Sequence, residues 1–392
     1  MQIFQLYFSI PEIVCLGILC LVVIYQEYFY MRYINGVRRY YKKQKKNSVD
    51  FMSNLPPVSV IICAKNEEEN LKQYLPLILT QQYPDFEVIV IDDGSCDNTS
   101  MVLESYKKLY PNLRSTFVPK ETKNISTKKL GISLGIKAAK NEILLLTDAD
   151  CRPASEFWIE KMVRNFTAKT EIVIGYGAYT EENTGLNRMI TYDTLFSALQ
   201  FLGMALVRKA YMGVGRNLAY RKSTFFASGG FTPTLHLMSG DDDLFVNRAA
   251  TRTNTRIEIS PQSVTWSEAK HSFVEWLYQK MRHLSVSGNY SFKSKIRIVI
   301  EPFSRAIFYL AFCGAVVLGI FGNVMTCAAA VFLFLVRYFT QFFTINSAAR
   351  HFGSARRYRL SLPIADIFIP LFNLFILTVK RPSKKGRNFF WK

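Results

Sequence analysis

Three long apolar runs constrain this chain more than any other feature. Ile13–Tyr25 carries no polar side chain except the tyrosine hydroxyl, and with Leu6–Glu12 it reaches the length of a bilayer span. Phe303–Phe321 and Val324–Phe343 are two more, separated only by the turn-like pair Gly322-Asn323. In lipid every backbone polar group must be satisfied internally, so these runs predict an N-terminal helix and a C-terminal helical hairpin. Arg305 and Arg337 fall near the cytoplasmic ends of the last two, where long side chains are expected to snorkel to the headgroups.

The net charge is +19, but its distribution argues against a nucleic-acid binder. The clustered basic residues, Arg32–Lys46, Lys293–Arg297, Arg350–Arg359 and Lys380–Lys392, all flank apolar runs. A nucleic-acid module spreads such charge over a domain face; charge at membrane edges sets topology and attracts anionic headgroups. The positive-inside bias places the N-terminus outside and residues from Arg32 to about Arg297 in the cytoplasm. The positive charges follow the first apolar run, unlike those of a cleaved signal peptide. Pro363–Val379 is apolar but contains Asp366, Pro370 and Asn373 and has basic clusters on both sides, which predicts an interfacial or re-entrant segment. Seven cysteines without a paired framework and four scattered histidines give neither a disulfide scaffold nor a zinc site.

From Pro56 onward strand and helix signals alternate. Val58–Cys63 is β-branched; Glu67–Gln81 has helical spacing of Leu71, Leu75, Ile78 and Leu79. Short strands follow at Glu87–Asp92, Ser115–Pro119 and Ile143–Thr147, with helices expected at Thr99–Tyr110 and Ser126–Lys140. Such a succession predicts an α/β fold, a doubly wound, mostly parallel sheet. The chain therefore divides into an anchor (1–31), a basic juxtamembrane linker (32–55), an α/β domain (56–290) and a C-terminal membrane region (291–392).

Three strand ends carry acids or polar groups: Asn66-Glu67, Asp92-Asp93 and Asp148-Ala-Asp150. In an open parallel sheet these ends converge on one crevice. Each has a plainer use, as a helix cap or an Asx turn. Together they favour a nucleotide site, with a divalent ion offsetting the repulsion of Asp148 and Asp150. Mg²⁺ and Mn²⁺ suit one or two carboxylates plus phosphate oxygens.

Five motifs, in order, resemble those of the family 2 glycosyltransferases: Pro57–Glu67, Val90–Ser95, Thr147–Asp150, Ser239–Leu244 and Gln279–His283. The resemblance implies a GT-A fold, a nucleotide-diphosphate sugar donor, most often a UDP-sugar, and Mg²⁺ or Mn²⁺. It implies that Asp93 binds the nucleotide base, with Asn66 and Glu67 lining the same pocket. Lys128 would lie near the diphosphate, with Lys129 the alternative by one register. Asp148 would face the ribose and metal, Asp150 would be the direct ligand, and Gln279 would belong to the donor site. Asp241 would be the catalytic base, with Asp243 the alternative, and Arg282 would stabilise the leaving diphosphate. Gly213–Arg221 is similar to the acceptor-side segment, where Arg216, Asn217 and Tyr220 are candidates to bind hydroxyls, against a plain turn and strand.

His283 stands where the family has a tryptophan that commonly stacks on the acceptor of polymer-making members. A smaller ring offers less stacking area. The expectation is therefore transfer of one or few sugars to a lipid-linked or glycan acceptor at the inner, cell membrane, by an inverting displacement. The alternatives are a processive polysaccharide synthase, a ceramide-type lipid glucosyltransferase, and a non-catalytic membrane scaffold.

Overall fold

The computed structural model describes residues 7–119 and 126–379; the basic run Lys380–Lys392 lies outside the described residues. In chain order the helices are α1 (Ile10–Phe29), α2 (Asn35–Lys45), α3 (Glu68–Leu79), α4 (Thr99–Leu109), α5 (Thr127–Ala138), α6 (Trp158–Val163), α7 (Gly185–Leu206), α8 (Lys222–Ala227), α9 (Asp243–Ala249), α10 (Phe273–Val286), α11 (Phe292–Phe321), α12 (Val324–His351) and α13 (Ser361–Val379). The strands are β1 (Val58–Ala64), β2 (Phe86–Asp92), β3 (Leu113–Phe117), β4 (Ile143–Asp148), β5 (Arg152–Pro153), β6 (Ile172–Ile174), β7 (Gly177–Tyr179), β8 (Leu218–Arg221), β9 (Thr255–Ile257) and β10 (Thr265–Ser267).

The main sheet has the order β3-β2-β1-β4-β8-β6-β9. Its first four strands are parallel, as the alternating pattern requires, whereas β8 runs antiparallel to β4 and β6. Strand periodicity feeds two cores. Val58, Val60 and Ile62 of β1 face α3, α4 and α6, while Ile61 and Cys63 face α5 and α7. A second, small sheet has the order β5-β10-β7.

The linker expected at 32–55 is largely helical. A π turn, Tyr30–Ile34, carries α1 into α2, giving one helical rod from Ile10 to Lys45. At that turn α7 crosses in backbone contact: a Cβ on Gly203 would lie 2.4 Å from the Tyr33 carbonyl oxygen. The buried residues of α7 join those of α2 and α12, so the α/β domain and the membrane helices share one core.

Among the described residues five helical stretches are long and apolar enough to cross a membrane, among them α1, α11 and α12. A fourth, α7, is mostly buried inside the protein. At the start of α1 Glu12 accepts from the Ser9 N–H (2.7 Å), the Asn323 N–H (2.8 Å) and Thr326 Oγ1 (3.0 Å), tying α1 to the α11–α12 turn. Arg305 and Arg337 do not snorkel; they are 5% and 2% exposed and both turn inward onto Asp366 of α13. Sequence reasoning set Asp366 against membrane burial, yet Asp366 is the countercharge that makes inward pairing of two guanidiniums cheaper than reaching water. The fifth stretch is α13, an unbroken helix through Pro370. Its second half packs on the α/β domain: Phe372 stacks 5.0 Å from Trp276, and Ile376 joins Ile190 of α7.

Candidate active site

Register brings the acidic strand ends together. Ala64 pairs with Asp92 across β1 and β2, and Cys63 pairs with Asp148 across β1 and β4, so the three ends finish at one level.

At the β2 end two adjacent acids divide the work. Asp92 is consumed locally: Oδ1 accepts from the Ser95 N–H (2.8 Å) and Oδ2 from Ser100 Oγ (2.6 Å). Asp93 turns inward and accepts from Thr127 Oγ1 at 2.7 Å. Burial raises its carboxyl above the usual range, and Asp92 adds to the effect against that hydrogen bond. Asn66 is structural in the first instance. It adopts φ +55°, donates its N–H to Ser95 Oγ (3.0 Å) and accepts the Cys96 N–H (2.8 Å), clamping the β1 loop to the β2 loop. Glu67 accepts from Asn70 Nδ2 at 2.6 Å; burial raises its carboxyl, helped by the charges of Asp150 and Asp148.

The ligand atoms of Asp148, Asp150 and Cys151 lie within 4.8 Å of one another. Burial pushes the Cys151 thiol well up, and its S–H donates to Asp150 Oδ1 (3.4 Å). The two carboxylates are therefore the hard donor set. Burial and the neighbouring Asp148 raise Asp150, which is the frustration a divalent cation would relieve. The residues fit such an ion.

Lys128 stands between two carboxylates. Its Nζ donates to Asp148 Oδ1 at 2.8 Å and lies 3.7 Å from Asp241 Oδ2. Burial opposes its charge, but Asp148 and Asp241 outweigh burial and raise its pKa; reciprocally, Lys128 pulls Asp148 down against burial. Lys129, one residue on, points away and is wholly buried. Of the two lysines, Lys128 is the one that faces the acids.

The run Asp241-Asp242-Asp243 is likewise divided. Asp242 accepts the N–H groups of Gly215 (2.6 Å) and Asp243 (2.8 Å). Asp243, read as the alternative base, is buried and bonded on both oxygens, from Tyr290 Oη (2.6 Å) and the Leu244 N–H (2.7 Å). The start of α9 and a tyrosine 47 residues away absorb it, so it does not face the cleft. Asp241 alone turns toward Lys128.

Helix α10 closes the cleft through two anchors. Gln279 Nε2 donates to Tyr179 Oη at 2.8 Å, and Lys280 pairs with Asp193 of α7 at 2.8 Å. Arg282 is exposed, lies near enough to lower Asp148, and meets His283 Nε2 at 3.3 Å. His283 is itself exposed, and because a guanidinium can only donate, its Nε2 is the acceptor of that bond.

Of the three acceptor-segment candidates only Arg216 faces the acids. It lies 4.2 Å over the Tyr179 ring and donates to Ser267 Oγ (2.7 Å) and the Gly177 carbonyl (3.1 Å). Asn217 is consumed by Trp158 Nε1 (3.1 Å) and by the carbonyls of Tyr176 (2.9 Å) and Ser263 (2.7 Å), and Tyr220 is core. Tyr179 and Thr127 escaped sequence reasoning; each acts through a partner distant in sequence, and no local pattern marks them.

Two carboxylates that fit a metal, a buried lysine and a separate carboxylate thus gather at one edge of a sheet with the GT-A fold. Residues 59–232 match the family model described as Glycosyl transferase family 2. Among curated proteins it is 30% identical over 200 residues to "Glycosyltransferase AglE" of Haloferax volcanii, covering 50% of this chain and 62% of that one. It is 34% identical over 93 residues to "Poly-beta-1,6-N-acetyl-D-glucosamine synthase" of Staphylococcus epidermidis, 24% of this chain and 21% of that one. The chain thus spans less than two thirds of either relative. A mannosyltransferase from Pyrobaculum calidifontis, solved with GDP-Man and Mn²⁺, superposes with a TM-score of 0.51 at 17% identity, over 86% of this chain and 99% of that one. That likeness shows the fold.

Proposed function

We propose that this protein is a membrane-anchored, inverting glycosyltransferase. It moves one sugar from a nucleotide-diphosphate donor, a UDP-sugar by preference, to a lipid-linked or glycan acceptor at the cytoplasmic face. The observation that carries this reading is the single lysine, Lys128, set between Asp148 on the donor side and Asp241 on the acceptor side. Attack on the anomeric carbon needs a base at the incoming hydroxyl and positive charge at the departing diphosphate, within a few ångströms of each other.

Asp93, with Asn66 and Glu67 shaping the loop, would hold the nucleoside. Asp150 and Asp148 would hold Mg²⁺ or Mn²⁺, which supplies Lewis-acid stabilisation of the leaving diphosphate when bound. Lys128 and Arg282 add fixed positive charge there. Gln279 positions Arg282 by anchoring α10 to Tyr179. Asp241 accepts the proton of the acceptor hydroxyl as the new bond forms, and one displacement inverts the anomeric centre.

Single transfer is favoured over export of a polymer because the bundle of α1, α11 and α12 is filled. Leu19, Val23, Phe308, Ala315 and Ala330 meet at its centre, and a Cβ on Gly319 would lie 2.5 Å from the Cys327 backbone nitrogen. These three helices would span the bilayer. The docking of Phe372 and Ile376 on α10 and α7 supports α13 lying along the cytoplasmic surface.

Purified protein supplied with UDP- and GDP-sugars and extracted membrane lipids should give a glycolipid by mass spectrometry, with Mn²⁺ or Mg²⁺ and not with EDTA. Product of many sugar units, or full turnover in EDTA, would overturn the single-transfer or the metal part respectively.

A further inference from the structure

Four consecutive residues at the start of α5 hold three different parts of the molecule, with Ser126 and Lys129 both reaching one segment. Ser126 caps the helix, and its N–H donates to the Leu235 carbonyl at 3.0 Å. Thr127 holds Asp93, and Lys128 bridges Asp148 and Asp241. Lys129 serves none of these groups. Its Nζ donates to the carbonyls of Thr234 (2.7 Å), Leu237 (2.9 Å) and Ser239 (2.7 Å).

An ammonium has three N–H donors, and here all three go to the backbone of one segment. Beyond a single 3-10 turn at Thr232–Thr234, that segment has no regular structure up to Asp241. Its carbonyls have no ladder to satisfy them, so the lysine takes the place of secondary structure. The segment ends at Gly240, whose φ of +86° turns the chain directly into Asp241. A Cβ there would lie 2.7 Å from Leu244 Cδ1, so the exit is tightly set as well.

We propose that Lys129 is a positioning residue that fixes the Thr234–Ser239 segment, and through it the Asp241 carboxylate, against the helical turn that carries Lys128. The proposal rests on the reading of Asp241 as the base. Donor site and acceptor acid are then one rigid unit, joined by neighbouring lysines facing opposite ways. Removing Lys129 releases the acid while leaving the nucleotide pocket intact, since no contact of Lys129 reaches Asp93, Asp148 or Asp150.

The test compares the full-length wild type with Lys129→Met, which keeps the length and loses every donor, and Lys129→Gln, which keeps two. Three quantities are read in detergent: amide hydrogen exchange over residues 232–240, affinity for UDP, and kcat and KM for sugar transfer. Lys129→Met should speed exchange in that segment by about 10-fold or more. It should lower kcat by about 10- to 100-fold with UDP affinity and donor KM within about 2-fold, and Lys129→Gln should fall between the two. Unchanged exchange in 232–240, or UDP affinity falling in step with kcat, would overturn the proposal. If Lys129→Met does not fold, the same comparison is made with Lys129→Gln alone. A wild type that transfers no sugar would defeat the enzymatic reading instead, and the exchange rates would still decide the role of Lys129.

Discussion

Asp366→Asn is the substitution that most directly tests how the membrane helices are held to the catalytic domain. Asp366 Oδ2 accepts from Arg337 Nη2 (2.6 Å) and Tyr309 Oη (2.8 Å), and Oδ1 accepts from Arg305 Nη1 and Gln341 Nε2 (both 3.1 Å). Arg305 keeps a second anion, Glu301. Among the described residues Arg337 makes no other ion pair, with Glu27 and Glu301 farther off, so the amide leaves it buried without a paired countercharge. Removing one partner of a buried pair costs on the order of 3–5 kcal/mol. The Phe308 ring, 4.4 Å from the Arg337 guanidinium, is there before and after the substitution and does not offset the loss. A loss of roughly 3–5 kcal/mol is expected. Trp276 lies against Phe372 of the same helix, so its fluorescence reports the docking of α13 directly. Urea unfolding in detergent should show an early Trp276 transition in Asp366→Asn. The double variant Asp366→Asn/Arg337→Met should recover most of the loss, because it removes the orphaned charge. A single variant within about 0.5 kcal/mol of wild type, or strict additivity in the double variant, would refute the argument.

Asp241→Asn should lower kcat by about 10²- to 10⁴-fold with UDP affinity unchanged, whereas Asp243→Asn should keep turnover within a few-fold; steady-state kinetics with UDP titration separates the two. Burial, with Asp242 and Asp241 nearby, pushes Asp243 up to about 7 from an unfolded value near 3.8. The folded state therefore binds the extra proton between those values, and stability should fall as pH rises from about 4 to about 7. Urea midpoints at the two ends of that window check this, and Asp243→Asn should flatten the difference. Gly203→Ala puts a Cβ 2.4 Å from the Tyr33 carbonyl oxygen, so it should cost about 1–3 kcal/mol, read as a lowered midpoint of thermal unfolding.

Much of this molecule could be read along the chain. Apolar length located α1, α11 and α12, because lipid leaves the backbone no alternative to a helix. Short continuous apolar runs gave β1, β2 and β4, which are buried on both faces, and period-3.6 spacing gave α3, each to within a few residues. The convergence of Asp93 and Asp148 followed too, since parallel strands of matched length must end at one edge.

What sequence could not fix was the aim of individual side chains within these motifs. Lys128 and Lys129 are chemically identical neighbours, and only the segment Thr234–Ser239 decides that one faces the acids and the other the backbone. Asp241 and Asp243 are separated in role by Tyr290, and Arg305 and Arg337 are drawn inward by Asp366. In each case the deciding partner lies far along the chain. Local patterns record which face of an element is buried, whereas the direction of a charged group depends on which opposite charge or carbonyl the folded chain brings within about 3 Å.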